Sequence, residues 1–432
     1  MNEWTEESLG RLASIEIGGT PSRDIPAFWA SENAEGFPWV SIADLGPRFV
    51  SATKERITEL GVLSSNVKPV RSGTLMMSFK LTIGRAGIAA RDLYTNEAIA
   101  AFVPMPRTVD SGFLYYLLPP ISRNAVTDVA IKGSTLNKQT LSKLKLRFPK
   151  DMQQQCRIAE ILSTLDEAIE QTEALIAKQR QIKAGLMHDL FTRGVTPDGH
   201  LRPTRESQST RFGWIPKAWR IGSLLDVADL ARQPILTGPF GADLGSDDFV
   251  ADGVPVLRIG NVQQGQLDVT DLLYVTEAKA RGLKRYSVKE GDLLFARQGA
   301  TTGRNALASR EADGWLINYH IIRVALDHSR CAPIFIEAAF AGEIVIRQVE
   351  RDKGRGTREG INTAQLKALQ IPLASVSEQN TIAQILMTHE SQCAEMQRYL
   401  AKLRQQKHGL MHDLLTGRVR VPEGAQNTDV SQ

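Results

Sequence analysis

Apolar residues recur at steps of four and three along two separate stretches of the chain. In the first, from about residue 155 to 192, Ile158, Leu162, Leu165, Ile169, Ile176, Leu186 and Leu190 fall on one line. A period of about 3.5 residues predicts a long helix with a coiled-coil seam. Thr172, Gln179 and Lys183 interrupt the line, and such polar interruptions set register or mark a surface shared with another partner. From Glu378 to Thr416 the seam positions return as Ile382, Leu386, Cys393, Met396, Leu400, Leu403, Leu410 and Leu414. The hexapeptide GLMHDL occurs at Gly185–Leu190 and again at Gly409–Leu414, 224 positions later. At the same offset Lys178, Arg180, Gln181 and Lys183 recur as Lys402, Arg404, Gln405 and Lys407. The segment is therefore an internal repeat. At roughly 1.5 Å per residue each copy spans on the order of 50 Å.

The pattern elsewhere is shorter in period. Val40-Ser41-Ile42 and Leu75–Phe79 read as strands, set off by turn signals such as Gly18-Gly19-Thr20-Pro21 and Ser72-Gly73. Phe113 to Leu118 opens a helix that Pro119-Pro120 is expected to end. The chain thus divides into a first mixed domain (1–150), a first helix (151–192), a linker rich in Arg, Thr, Ser, Pro and Gly (193–213), a second mixed domain (214–376), a second helix (377–420) and a disordered tail (421–432). The two mixed domains resemble each other weakly. Phe37–Val40 parallels Val254–Leu257, Gly73–Met76 parallels Gly291–Leu294, Thr82–Arg85 parallels Thr301–Arg304, and Asn96 parallels Asn318. Close helical copies beside divergent domains imply one task done identically and a second done in two variants. The fold class read from this is α+β, two mixed domains separated by two long helices.

Charge order adds direction. In the first helix Glu160, Asp166, Glu167, Glu170 and Glu173 precede Lys178, Arg180 and Lys183. In the second, Glu378, Glu390 and Glu395 precede Arg398, Lys402, Arg404 and Lys407. Complementing the helix macrodipole favours this polarity in any helix. Pairing between the helices is the other reading. Side by side and antiparallel, each acidic half meets a basic half, and rim pairs worth a few tenths of a kcal/mol each all favour that orientation. The expectation is an antiparallel coiled coil with pseudo-two-fold symmetry.

Composition narrows function only modestly. The chain has 432 residues, a net charge of +4 and a pI near 8.9, compatible with nucleic acid without requiring it. Cys156, Cys331 and Cys393 are odd in number and form no CxxC, against a disulfide framework or zinc ribbon. No signal pattern opens the chain and no apolar run is long enough to span a bilayer, so the cytoplasm is the expected compartment, with no membrane partner. There is no phosphate loop, HExxH or GxSxG. His408 and His412 stand four apart on a helix, but His408 corresponds to Ala184 in the first copy, which argues against a metal. His188-Asp189 and His412-Asp413 read best as a packing and capping unit near a helix end.

The whole arrangement resembles the DNA-specificity (S) subunit of type I restriction–modification systems. Gly18-Gly19-Thr20-Pro21-Ser22 resembles the opening turn of that family's target-recognition domains, and GWIPKAWRIGSL at Gly213–Leu224 the start of a second one. GDLLFARQGATTGR (Gly291–Arg304), INYHIIRV (Ile317–Val324) and LKALQIPL (Leu366–Leu373) look like the segments that close such a domain. The two helices are similar to the family's central and C-terminal conserved regions. The match covers nearly the whole chain, and the ordered double set is specific where each motif alone is not.

That resemblance implies a non-catalytic subunit. Each recognition domain reads one half of a bipartite, asymmetric target on double-stranded DNA. The helices set the spacer and dock two methyltransferase (M) subunits along the seam. It also implies that no cofactor is bound by this chain: S-adenosylmethionine belongs to the M subunits, while ATP and magnesium serve restriction (R) subunits joining the complex. Pseudo-two-fold readers suit half-sites about one helical turn, roughly 34 Å, apart. Candidate DNA contacts are Arg23, Lys80, Arg85, Lys132 and Lys138 in the first domain, and Arg258, Arg297, Arg304, Lys353, Arg355 and Arg358 in the second. Phosphates require Lys or Arg, and a bidentate Arg reads guanine. Lys353–Arg358 is the strongest cluster, because its glycines let backbone approach a duplex, and Lys132-Gly133-Ser134-Thr135 holds the comparable place in the first domain. Two rivals make other demands. A one-chain methyltransferase or nuclease would need catalytic motifs, and a pure coiled-coil scaffold would have no DNA affinity.

Overall fold

The computed structural model describes residues 4–31, 35–105, 107–127, 136–354 and 359–422. The chain forms two compact units, and the sequential order of domain and helix is not their order. One unit combines Met1–Ala174 with Arg398–Gln432; the other is the continuous stretch Leu175–Gln397. Each long helix, Met152–Arg193 and Val376–Thr416, begins in one unit and ends in the other.

In the first unit a five-stranded sheet runs in the order Ala13–Ile17, Ile99–Pro104, Leu75–Ser78, Ala86–Ala89, Phe49–Val50. Leu75–Ser78 is central and fully buried, which is why it reads as an unbroken apolar run. A four-stranded sheet centres on Phe37–Val40, antiparallel to Glu55–Ile57 and parallel to Leu93–Thr95. Trp4–Ser8 pairs with Lys145–Pro149. Helix Ser111–Thr127 packs Phe113, Leu114 and Leu117 into the core with Leu75, Met77 and Phe102. Pro119 and Pro120 lie inside this helix and do not end it. They remove the donors to the Tyr115 and Tyr116 carbonyls, and the buried apolar face outweighs that loss.

The second unit repeats the plan. Its sheet runs Ile235–Thr237, Ile321–Val324, Leu293–Ala296, Asn305–Leu307, in the strand order of the first. Val254–Leu257 pairs antiparallel to Leu273–Val275 and parallel to Leu316–Ile317, as Phe37–Val40 does with its own neighbours. Arg220–Ser223 pairs with Gln370–Leu373. The stretch 193–213, expected to be a linker, is structured instead. Val195 bridges to Leu201, and Ser207–Thr210 forms a hairpin with Gly213–Pro216. Val195 and Ile215 are buried in the core and anchor this polar sequence.

The helical seam is buried or half-buried along its length. Ile158, Leu162, Ile176, Leu190, Ile382, Leu386, Leu403 and Leu414 are buried; Leu165, Ile169, Leu186, Cys393, Met396, Leu400 and Leu410 are half-buried. The ends of the seam join the domain cores. Ile158, Leu162, Leu410 and Leu414 belong to the first, and Leu186, Leu190, Ile382 and Leu386 to the second. In the first unit Asp166 pairs with Lys407, and Glu173 with Arg404 at 2.6 Å, so as one helix advances its partner retreats. In the second unit Lys183 pairs with Glu390 at 2.6 Å. The expected tail lies, beyond Pro422, outside the described residues.

Candidate nucleic-acid interface

One frame of backbone bonds sets three loops side by side in each unit. Gly18 donates to the Ile99 carbonyl at 3.2 Å, and Gly238 to that of Ile321 at 3.1 Å. Each glycine is pressed against the segment of an asparagine: a Cβ on Gly18 would overlap the Thr95 and Asn96 carbonyl oxygens, and one on Gly238 that of Asn318. Asn96 Oδ1 accepts from the Ala98 amide, and Asn318 Oδ1 from that of His320, both at 3.1 Å. The amides of Phe79 and Arg297 bond the carbonyls of Ala98 and His320, both at 3.0 Å. These bonds join the loop after the first sheet strand, the turn between the two central strands and the asparagine loop.

The side chains on this frame differ. In the first unit Thr20 donates to the Glu97 carboxylate, and chiefly that bond, helped by Lys80 and Arg23, holds Glu97 below its ordinary range. The intervening turn carries Lys80, exposed Leu81 and Arg85. In the second unit exposed Phe240 leans on Tyr319, ring centroids 5.9 Å apart, and Tyr319 on His320 at 3.7 Å. His320 Nδ1 meets Gln298 Oε1 at 3.1 Å. Burial first, and the Arg297 charge second, pull the His320 pKa down, which favours the neutral ring with one donor and one acceptor. Two further backbone bonds are made beside this turn: the Gly360 amide donates to the Lys353 carbonyl at 2.8 Å, and the Gly299 amide to the Glu359 carbonyl at 3.0 Å.

Several candidate cations already have work within the fold. Arg23 is bound by Glu55 and stacked 3.8 Å over Trp29. Arg258 pairs with Asp271, and Lys353 with Glu350 at 2.7 Å. Arg297 donates to the Ile361 and Tyr319 carbonyls at 3.4 and 3.3 Å, and Arg304 to Gln263 at 2.7 Å. Among the described residues Lys80, Arg85 and Lys138 make no ion pair, Lys138 opening the short helix Lys138–Ser142. Lys132, Arg355 and Arg358 lie outside the described residues. Leu81, Glu97, Phe240, Gln298, Tyr319 and His320 stand beside these cations on the same loops but carry no basic charge to mark them in sequence. The paired Asn96 and Asn318 were the signal that would have found those beside them.

The repeated His188 and His412 are exposed and, among the described residues, make no ring hydrogen bond. They are not caps. The helices end at Gly194 and Gly417, whose φ values of +67° and +74° turn the chain. Among the described residues no group of three or more His, Cys, Asp or Glu side chains is placed to hold a metal. No described helix is long and apolar enough to cross a membrane.

Comparison with known proteins agrees across the chain. A Methanocaldococcus jannaschii protein, the type I restriction enzyme MjaVIII specificity subunit, is 22% identical over 92% of this chain and 89% of its own length. The EcoBI specificity subunit of Escherichia coli is 22% identical over 78% of this chain and 71% of its own. Against the MjaIX specificity subunit of M. jannaschii, 24% identical, the chain spans 66% of that protein's length. The solved S subunit of a type I restriction–modification system from M. genitalium shares the fold with a TM-score of 0.58 at 14% identity, over 98% of this chain and 97% of that one. The family model for the type I restriction modification DNA specificity domain matches residues 1–179 and 216–405, and the chain belongs to that family.

Proposed function

We propose that this chain is the non-catalytic specificity subunit of a cytoplasmic type I restriction–modification complex, reading a bipartite, asymmetric target on double-stranded DNA. The observation that carries the reading is the repeated frame with unlike side chains upon it. Identical bonds at Gly18, Asn96 and Phe79 and at Gly238, Asn318 and Arg297 support two loop sets of one design. Those loops present Lys80, Leu81 and Glu97 in one unit, and Phe240, Gln298, Tyr319 and His320 in the other. Carboxylates accept from cytosine, amides and imidazoles pair with base edges, and free cations hold phosphates. Lys80, Arg85 and Lys138, with Lys132, Arg355 and Arg358, are the proposed phosphate contacts. Arg23, Arg258, Arg297, Arg304 and Lys353 contribute where duplex phosphate displaces or shares their present partners.

The two helices act as an antiparallel coiled coil with pseudo-two-fold symmetry, which sets the spacing of the half-targets. Their near-identical copies offer equivalent docking faces to two methyltransferase subunits, which carry S-adenosylmethionine. Restriction subunits using ATP and magnesium join through that complex. The test is an exchange of residues 1–150 for the corresponding part of another specificity subunit, with methylation mapped by single-molecule sequencing. One half-target changes and the other stays; an unchanged target rejects the reading.

A further inference from the structure

The turn between the central strands of the first unit holds an apolar side chain at its apex. Leu81 sits at φ +58°, in the left-handed region, and is 89% exposed. The matching turn of the second unit has Gly299 at that place, with φ +74°. The backbone therefore takes the same left-handed step in both units, and glycine takes it freely while leucine does not. Nothing in the described fold covers the leucine to offset its strain. Strain of this kind is retained where a function holds it.

The turn beneath Leu81 is rigid. Ser78 is fully buried; its hydroxyl donates to the Thr82 carbonyl and accepts from the Arg85 amide at 3.1 Å. Gly84 bonds back to the Ser78 carbonyl at 2.9 Å. Lys80 and Arg85 flank the apex, and neither is engaged in an ion pair among the described residues. An exposed apolar tip with Lys80 and Arg85 on the same turn, on a hydrogen-bonded stem, matches a duplex groove. Phosphates line the rims, and the one apolar group on a base edge, the thymine C5-methyl, faces the major groove.

We propose that Leu81 is a specificity-determining residue, entering the major groove and packing against a thymine methyl of the half-target read by the first unit. This rests on the DNA-reading function proposed above. The test uses the full chain assembled with its modification subunits, wild type and L81G, binding duplexes of the mapped target at one salt concentration. Each thymine of the target is replaced in turn by uracil, which lacks only the methyl. One thymine in the first unit's half-target is expected to matter: uracil there weakens wild-type binding about tenfold. L81G, whose glycine suits the turn and keeps the fold, binds the thymine duplex about tenfold more weakly and is indifferent to uracil. The second half-target is unaffected. If L81G binds as wild type does, or weakens equally on all sequences, the proposal is overturned while the DNA-reading function stands. If the wild type shows no sequence preference, that function fails and this inference with it.

Discussion

Asp292 shows how a single buried charge stabilises the second unit. It is 1% exposed, gripped by Arg232 through two bonds of 2.8 Å, and capped by the Lys289 amide at 2.8 Å. Arg323, itself buried, lies beside it and donates to the carbonyls of Ser287 and Gln233. Asp292→Ala strands two cations and is expected to cost roughly 3–5 kcal/mol, read as a fall in the denaturant midpoint of that unit. Glu337 carries the pH dependence. Burial outweighs the 3.0 Å bond from the Leu307 amide and pushes its carboxyl from 4.5 up to about 7. The folded unit then holds a proton that the unfolded chain releases. The stabilisation is complete below about 4.5 and disappears as pH rises through about 7. Calorimetry from pH 5 to 8 is expected to show a falling unfolding temperature in the wild type and a flatter profile in Glu337→Gln. Leu81 itself was not legible in sequence, since a strained φ leaves no pattern; only the offset comparison with Gly299 exposes it.

At the scale of elements, the ion pairs between helices differ in weight. Asp166 is the most enclosed: it pairs with Lys407 and accepts the Tyr116 hydroxyl at 2.7 Å, with burial first and Asp166 second driving the tyrosine pKa upward. Glu173 and Arg404 are far more exposed. Asp166→Ala is expected to cost roughly 1.5–3 kcal/mol and Glu173→Ala under about 1 kcal/mol, measured by chemical unfolding. The helices were legible because their seam is periodic and twice written. The sheets were legible where strands are central, as at Leu75–Ser78. Helix Ser111–Thr127 runs past Pro119-Pro120 because burial of its apolar face, which sequence does not display, overrides local proline chemistry. Residues 207–213 look like linker in sequence because the hairpin they begin is polar and held by few apolar anchors. His389 is likewise hidden in sequence by its polar type. It is buried on the seam, at the position Leu165 holds in the other copy, with its ring nitrogen 3.7 Å from Cys393 Sγ.

For the molecule as a whole, the proposed function divides between a constant spacer and variable readers. Deleting one helical turn from both long helices together is expected to change the spacing between methylated half-targets and leave both half-targets intact, mapped by sequencing; altered half-targets would show that helix and reader are not separable. The candidate interface was legible as a double set of motifs. The partition into units was not, because contacts between Ile158 and Leu414 segments bridge most of the chain. That partition also governs synthesis. The second unit is one continuous stretch, Leu175–Gln397, and has all its parts as soon as that stretch clears the ribosome. The first unit, though made earlier, waits for Arg398 onward before Leu410, Leu414 and Leu415 cover its core. The first unit is thus the last to mature, and a nascent chain stopped near residue 397 exposes an apolar face that chaperones and proteases recognise.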